Sequence, residues 1–182
     1  MSRMTRHLDR ELDRLRKDLV GQFGIVEQMI QKAVRSLTER RVDLADQVIA
    51  GDAKVDQNDL QIEEECLKLL ALHQPVAADL RWLVTVIKIN SDLERMADIS
   101  CNIAERAKAL DLYPLFPVPD EVSEMVRVAT EMVRDALDSF VEGDPAKSAE
   151  VIRTDTLVDE LNRVVIDQLH SLMKSDPAMI EP

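Results

Sequence analysis

Apolar residues recur at helical spacing almost from one end of this chain to the other. Leu8, Leu12, Leu15, Leu19, Phe23, Val26, Ile30, Ala33 and Leu37 fall three or four apart and predict a first helix from about Thr5 to Glu39. Gly21 and Gly24 weaken that pattern without breaking it. Arg40 to Val42 reads as a turn, with Asp43 as the N-cap of a second helix from Leu44 to His73. Gln74-Pro75 interrupts the periodicity, and Pro75 suits the first position of a third helix that runs to about Leu110. The first half of that helix is apolar nearly all round (Leu80, Trp82, Leu83, Val84, Val86, Ile87, Ile89), which predicts burial on most sides. Tyr113 to Pro119 is a proline-rich linker. A fourth helix is expected from Asp120 to about Val141. Gly143-Asp144-Pro145 then supplies a turn, a capping Asp and a first-position Pro for a fifth helix to about Lys174.

The pattern repeats. Displaced by 103 positions, Met29 falls on Met132, Ala33 on Ala136, Ser36 on Ser139, Val48 on Val151, Asp52 on Asp155, Val55 on Val158 and Asp56 on Asp159. Such self-similarity implies two copies of one helical unit. The expected architecture is all-α: tandem three-helix bundles, the second lacking its last helix in this chain. The first bundle spans residues 1–112, the linker 113–119 and the incomplete second repeat 120–182. Asp176-Pro177 has the form of a helix cap and first turn. The apolar face left open on the second unit is expected to be completed by another copy, in a dimer through residues 120–175.

One stretch departs from the apolar rhythm. In helix two, Ala45, Val48, Ile49, Val55, Ile62, Cys66 and Leu69 trace a stripe, but Asp52, Asp56, Asp59 and Glu63 stand where the stripe should continue. In helix three, the stripe of Leu80, Val84 and Ile87 turns into Ser91, Glu94, Asp98, Asn102 and Glu105. A buried carboxylate must be paired, protonated or bound to a cation. Asp52 and Asp56 lie about twenty residues before the Gln74-Pro75 turn, and Glu94 and Asp98 about twenty after it, so in an antiparallel pair their depths match. Asp52, Asp56, Glu94 and Asp98 are therefore candidate metal ligands, with Asp155 and Asp159 as counterparts in the second unit. An all-oxygen donor set suits Mg, Mn, Fe or Ca, with Zn a further candidate. The alternative is a solvated groove whose acids pair with Arg95, Lys54 or Lys108.

Composition narrows the function classes. The chain carries 35 acidic and 23 basic residues, a net charge of −12, which argues against a nucleic-acid partner, since phosphate binding needs a basic face. Cys66 and Cys101 lack CxxC spacing and read as reduced core thiols. Residues 1–16 are charged throughout, unlike a signal peptide, and no apolar run is long enough to span a membrane. A cytoplasmic location is expected. Phosphate-loop, dinucleotide and HExxH motifs are absent. His7 sits in a polar segment, and His73 ends a helix where a cap or dipole role is expected. Asp167-Gln-Leu-His170 mimics half of a di-iron ExxH motif but has no partner motif, so a carboxylate-bridged metalloenzyme is a rival reading rather than the favoured one.

The segment His73-Gln-Pro-Val-Ala-Ala-Asp-Leu-Arg81, followed by Ser91-Asp-Leu-Glu-Arg-Met-Ala-Asp98 and Asn102-Ile-Ala-Glu105, closely resembles the PhoU family of phosphate-uptake regulators, and Val48 to Asp56 matches its helix-two motif. The likeness covers nearly the whole chain. It implies tandem three-helix bundles with (E/D)xxxD metal motifs, here Asp52, Asp56, Glu94 and Asp98, plus Asp155 and Asp159. The expected cofactor is Fe, Mn, Mg or Zn. The implied role is not enzymatic: a negative regulator linking a phosphate ABC transporter to a sensor histidine kinase, peripheral to the membrane through those partners. An accessory subunit of another phosphate or ion transporter is the nearest alternative. The chain departs from the family pattern in lacking the last helix of the second bundle, which puts the second metal site in doubt.

Overall fold

The computed structural model describes residues 3–113 and 117–175, with side chains from His7 onward. The expected cap at Asp176-Pro177 and the middle of the proline-rich linker lie outside the described residues. Five helices follow one another: α1 (Arg3–Thr38), α2 (Val42–His73), α3 (Ala77–Leu110), α4 (Asp120–Glu142) and α5 (Pro145–Ser175). The fold is all-α, as the periodicity predicts. Helices α1, α2 and α3 pack mutually as a three-helix bundle, α5 packs on α4, and α4 meets the bundle along α1 and through side chains of α3.

The bundle is held by seven-residue repeats. In α1, Leu12, Leu19, Val26 and Ala33 interleave with Leu15, Gln22, Met29 and Ser36, and all are buried. In α2, Val48, Val55, Ile62 and Leu69 form one buried row. In α3, Leu83, Asn90, Ala97 and Ala104 alternate with Val86, Leu93, Ser100 and Ala107, again all buried. Heptad spacing keeps each seam facing its neighbours, and the small residues in the second half of α3 let the helix backbones approach closely.

Gln22 and Asn90, at seam positions, and Asn58 beside them bond across the helices. Gln22 donates Nε2 to the Val55 carbonyl at 3.1 Å and accepts from Asn58 Nδ2 at 3.0 Å. Asn90 donates Nδ2 to the Asp59 carbonyl at 3.0 Å and to Asp59 Oδ1 at 2.7 Å. These bonds form a polar layer across the three helices, and such a layer fixes register because only one alignment satisfies it.

Several local expectations need correction. Asp43 is not the N-cap of α2: the helix starts at Val42 after Arg41, which makes no side-chain cap bond, and Asp43 instead pairs with the Arg41 guanidinium at 2.7 Å. Pro75 is not the first residue of α3. Gln74 adopts a left-handed φ of 44° and its N–H bonds to the Leu70 carbonyl, so residues 74–76 close α2 before α3 begins. The start of α3 is not buried on most sides either. Leu83 and Val86, which face α1 and α2, are fully enclosed, but Leu80 and Val84 are exposed. At the α4–α5 turn the expectation holds: Asp144 Oδ1 accepts the Ala146 N–H at 2.9 Å, and Gly143 takes φ +71°.

The α4–α5 hairpin is antiparallel, with Gln168 Nε2 on Glu121 Oε1 at 2.7 Å. It joins the bundle through a stack of Phe140 on Trp82 (5.7 Å between centroids, 13° between planes), with the Arg16 guanidinium 5.2 Å from the Trp82 ring. Leu137 enters the bundle core, and Arg134 pairs with Glu27 of α1. Trp82 is thus an interface residue. Among the described residues, no helix is long and apolar enough to cross a membrane.

Candidate metal centre

The acids of α2 and α3 meet along one edge of the bundle. Three contacts fix their register: Lys108 Nζ on Asp46 Oδ1 at 2.6 Å, Cys101 Sγ facing the Val48 carbonyl at 3.8 Å, and Asn90 on Asp59. With the helices antiparallel, this alignment sets Asp52 level with Asp98 and Asp56 level with Glu94 at 1.5 Å per residue. The matched depth read from the sequence is therefore realised.

The burial differs from the sequence reading. One seam row of α2 stays apolar and enclosed through Val55 and Ile62, and only some of the acids stand at seam positions. Asp52, Asp59 and Glu94 are half-buried, whereas Asp56, Asp98 and Glu63 are exposed. The reason lies in the heptad. Positions 45, 52, 59 and 66 form the second seam row of α2, in which Ala45 and Cys66 are fully buried. Asp52 and Asp59 hold the two middle places of that row, and Asp56 stands beside it.

The charge on this edge is unbalanced. Burial, followed by the charges of Asp98, Asp59, Asp56 and Asp52, pushes the Glu94 carboxyl above its ordinary range. Burial, then Glu63 and Asp56, does the same to Asp59. None of the ion pairs of the described residues involves Asp52, Asp56, Asp59, Glu94 or Asp98; Lys108, which also bridges α2 and α3, is taken by Asp46. Two oxygens on this edge are buried: Asn90 Oδ1 has no donor, and Asp52 lies beside the Cys101 thiol, whose hydrogen bond to that carboxylate is one cause of the raised Cys101 pKa. Cys101 lies against Asp52, and its thiol is pushed up to about 12 by burial and then by that carboxylate.

Among the described residues, no three His, Cys, Asp or Glu side chains come together closely enough to hold a metal ion. The carboxylates form a row, which is what mutual repulsion produces along two helices. The residue types of the row, oxygen donors with no cationic side chain paired to Asp52, Asp56, Glu94 or Asp98 among the described residues, are of the kind that suits a cation. Asp155 and Asp159 are not brought into this row. Both are exposed on α5, which packs on α4, and the Asp159 carbonyl accepts the Arg163 Nε–H at 3.3 Å. Asn102 is exposed as well. Asp59, not among the candidate ligands from sequence, stands with the row; a heptad reading that grouped positions 45, 52, 59 and 66 would have found it.

Comparison with known proteins agrees with this architecture. The PhoU domain family model matches residues 20–107 and 122–181. The phosphate-specific transport system accessory protein PhoU homolog of Aquifex aeolicus is 36% identical over 174 residues, covering 96% of this chain and 79% of that protein. The homolog of the same name from Deinococcus radiodurans is 34% identical over 177 residues, covering 97% and 83%. Crystal structures of PhoU from Pseudomonas aeruginosa (TM-score 0.87, 32% identity, 94% of this chain and 83% of that one) and of the phosphate transport system regulatory protein PhoU from Streptococcus pneumoniae (0.85, 27%, 93% and 80%) share the fold. From the helical repeat, the matched motifs and these likenesses together, the chain belongs to the PhoU family.

Proposed function

We propose that this protein is an accessory regulator of a phosphate-specific transport system. It restrains phosphate uptake and phosphate-starvation signalling by bridging a phosphate ABC transporter and a sensor histidine kinase. It works in the cytoplasm, reaching the membrane only through those partners. The observation that carries the reading is the near full-length likeness to proteins named as phosphate-transport accessory proteins. The all-α surface, with its acidic edge and no phosphate-cradling loop, supports binding rather than catalysis.

In this reading Asp52, Asp56, Glu94 and Asp98 hold Fe, Mn, Mg or Zn. The cation cancels the charge of the row and ties α2 to α3, stiffening the surface that partners touch. The uncompensated carboxylates, which push Glu94 above its ordinary range, support this assignment. Asp155 and Asp159 would take part only if a further helix or a second copy met them. A homodimer through α5 is supported by its exposed Ile152, Leu157, Val164 and Ile166.

The test is genetic. Deleting the gene in its own organism should switch on phosphate-starvation genes in phosphate-rich medium, and the wild-type copy should switch them off again. Unchanged repression in the deletion strain rejects the regulatory role.

A further inference from the structure

Towards the α2–α3 turn, the surface of the bundle becomes apolar. Leu80 and Val84 of α3 are 41% and 40% exposed, and Leu60 and Leu67 of α2 are 59% and 52% exposed. The Asn90–Asp59 bond fixes the register. At about 1.5 Å per residue it sets Leu67 level with Leu83, and Leu70 level with Leu80. The exposed side chains therefore border one groove, two on each helix. Leu60 and Leu67 stand seven apart and share one outward line of α2. Helical geometry puts Glu63 on one flank of that line and Glu64 on the other, and both acids are exposed. The bundle has no use for these leucines, because Val48, Val55, Ile62 and Leu69 already fill the seam of α2. At the repeat-equivalent positions of α5, displaced by 103, stand Arg163 and His170. Leucines at heptad spacing on an outward line make a second seam that lacks its neighbour.

Charge decides what covers it. Asp56, Asp59, Glu63 and Glu64 stand along the α2 bank, and none of them enters an ion pair among the described residues. Lys68, on the same helix, is taken by Glu65. Arg81 and Lys88 border Val84 on α3, and they leave the balance acidic. A second copy would set Glu63 and Glu64, or Asp56 and Glu94, against their own counterparts, and an anionic lipid surface would meet the same repulsion. We infer that this groove docks an amphipathic helix of a partner protein, with apolar anchors three or four apart and lysine or arginine along its flank. The anchors fill the space between Leu67 and Val84, and the cations meet Glu63 and Glu64, neither of which belongs to the proposed cation ligands. The inference rests on the adaptor reading for the partner being a protein, and it names the surface and the recognition chemistry.

The experiment is fluorescence anisotropy at physiological salt with a labelled helical peptide, leucine on one face and lysine on the other, titrated with the full chain. A peptide with glutamate in place of lysine is the control. Leu60→Gln with Leu67→Gln should weaken the Kd at least tenfold, and Glu63→Gln with Glu64→Gln at least threefold. Ile152→Gln with Leu157→Gln, on the exposed apolar face of α5, should leave it unchanged. All these positions are exposed, and glutamine keeps helix propensity; circular dichroism and melting check the fold. If the leucine variant melts markedly lower, Val84→Gln on the opposite bank takes its place. No saturable binding to wild type overturns the inference. So does equal binding by all variants, which marks mere attraction to an acidic protein, or equal loss in the α5 variant. Binding of the glutamate peptide overturns it too. Sedimentation showing a wild-type dimer that the leucine variant dissolves would assign the groove to a second copy. Leucine-dependent binding to phosphatidylcholine–phosphatidylglycerol vesicles would assign it to a membrane. The deletion strain reads the regulatory role separately: derepression there without peptide binding rejects the groove and leaves the role standing.

Discussion

Glu94 is the residue on which the most charges converge. Its carboxyl is held above the ordinary range by burial and by four neighbouring acids, and Asp59 is shifted the same way. The folded protein therefore binds more protons than the unfolded chain between the ordinary carboxylate pKa and these raised values. Stability then falls as pH rises through that window, and the penalty is absent below the unfolded pKa. In chelator-treated protein, chemical denaturation should show greater stability at the acidic end of the window than at neutral pH, and Glu94→Gln should flatten the difference. The same substitution should stabilise metal-free protein at pH 7 by about 0.5 kcal/mol, the scale of relieved like-charge pairs. It should also lower metal retention. A second consequence concerns the thiols. Cys66 is fully buried and Cys101 half-buried, and each is pushed up to about 12, in both cases chiefly by burial. Both stay protonated at pH 8, so a thiol reagent should label the native protein far more slowly than the unfolded chain. Rapid labelling of both cysteines in native protein would contradict the packing described.

At the scale of elements, the bundle depends on heptad seams and one polar layer. Leu83→Ala opens a cavity at a fully enclosed site and should cost about 2–5 kcal/mol, measured by denaturant unfolding. The hairpin's attachment is narrower. Trp82→Ala removes the stack on Phe140 and the Arg16 contact, so α4–α5 should become more sensitive to limited proteolysis while the bundle persists. Helix number, order and most boundaries were legible in the sequence because the periodicity is long and regular. The misjudged boundaries, at Asp43 and Pro75, depend on backbone geometry that composition does not specify. Gln74 takes a left-handed conformation without being glycine or asparagine, and nothing in its side chain announces that. The site was legible in part. Spacing from a turn sufficed to align Asp52 with Asp98 and Asp56 with Glu94. Asp59 was passed over because the (E/D)xxxD spacing drew attention to residues four apart, whereas burial follows the seven-residue seam. Asn90 was hidden inside an apolar run.

At the scale of the whole molecule, the described residues form a three-helix bundle with an appended hairpin, joined by the Trp82–Phe140 stack, the Arg134–Glu27 ion pair and apolar side chains of α4 that include Val133, Leu137 and Val141. Part of its net negative charge of −12 lies unpaired along the α2–α3 edge, where in the proposed reading a cation would convert a repulsive seam into a clasp. The measurement that tests this most directly is elemental analysis by plasma mass spectrometry of the purified protein beside its Asp52→Ala, Asp56→Ala double variant. The account predicts near-stoichiometric Fe, Mn, Mg or Zn in the parent and its loss in the variant. Metal absent from both proteins, or retained equally by both, would contradict it.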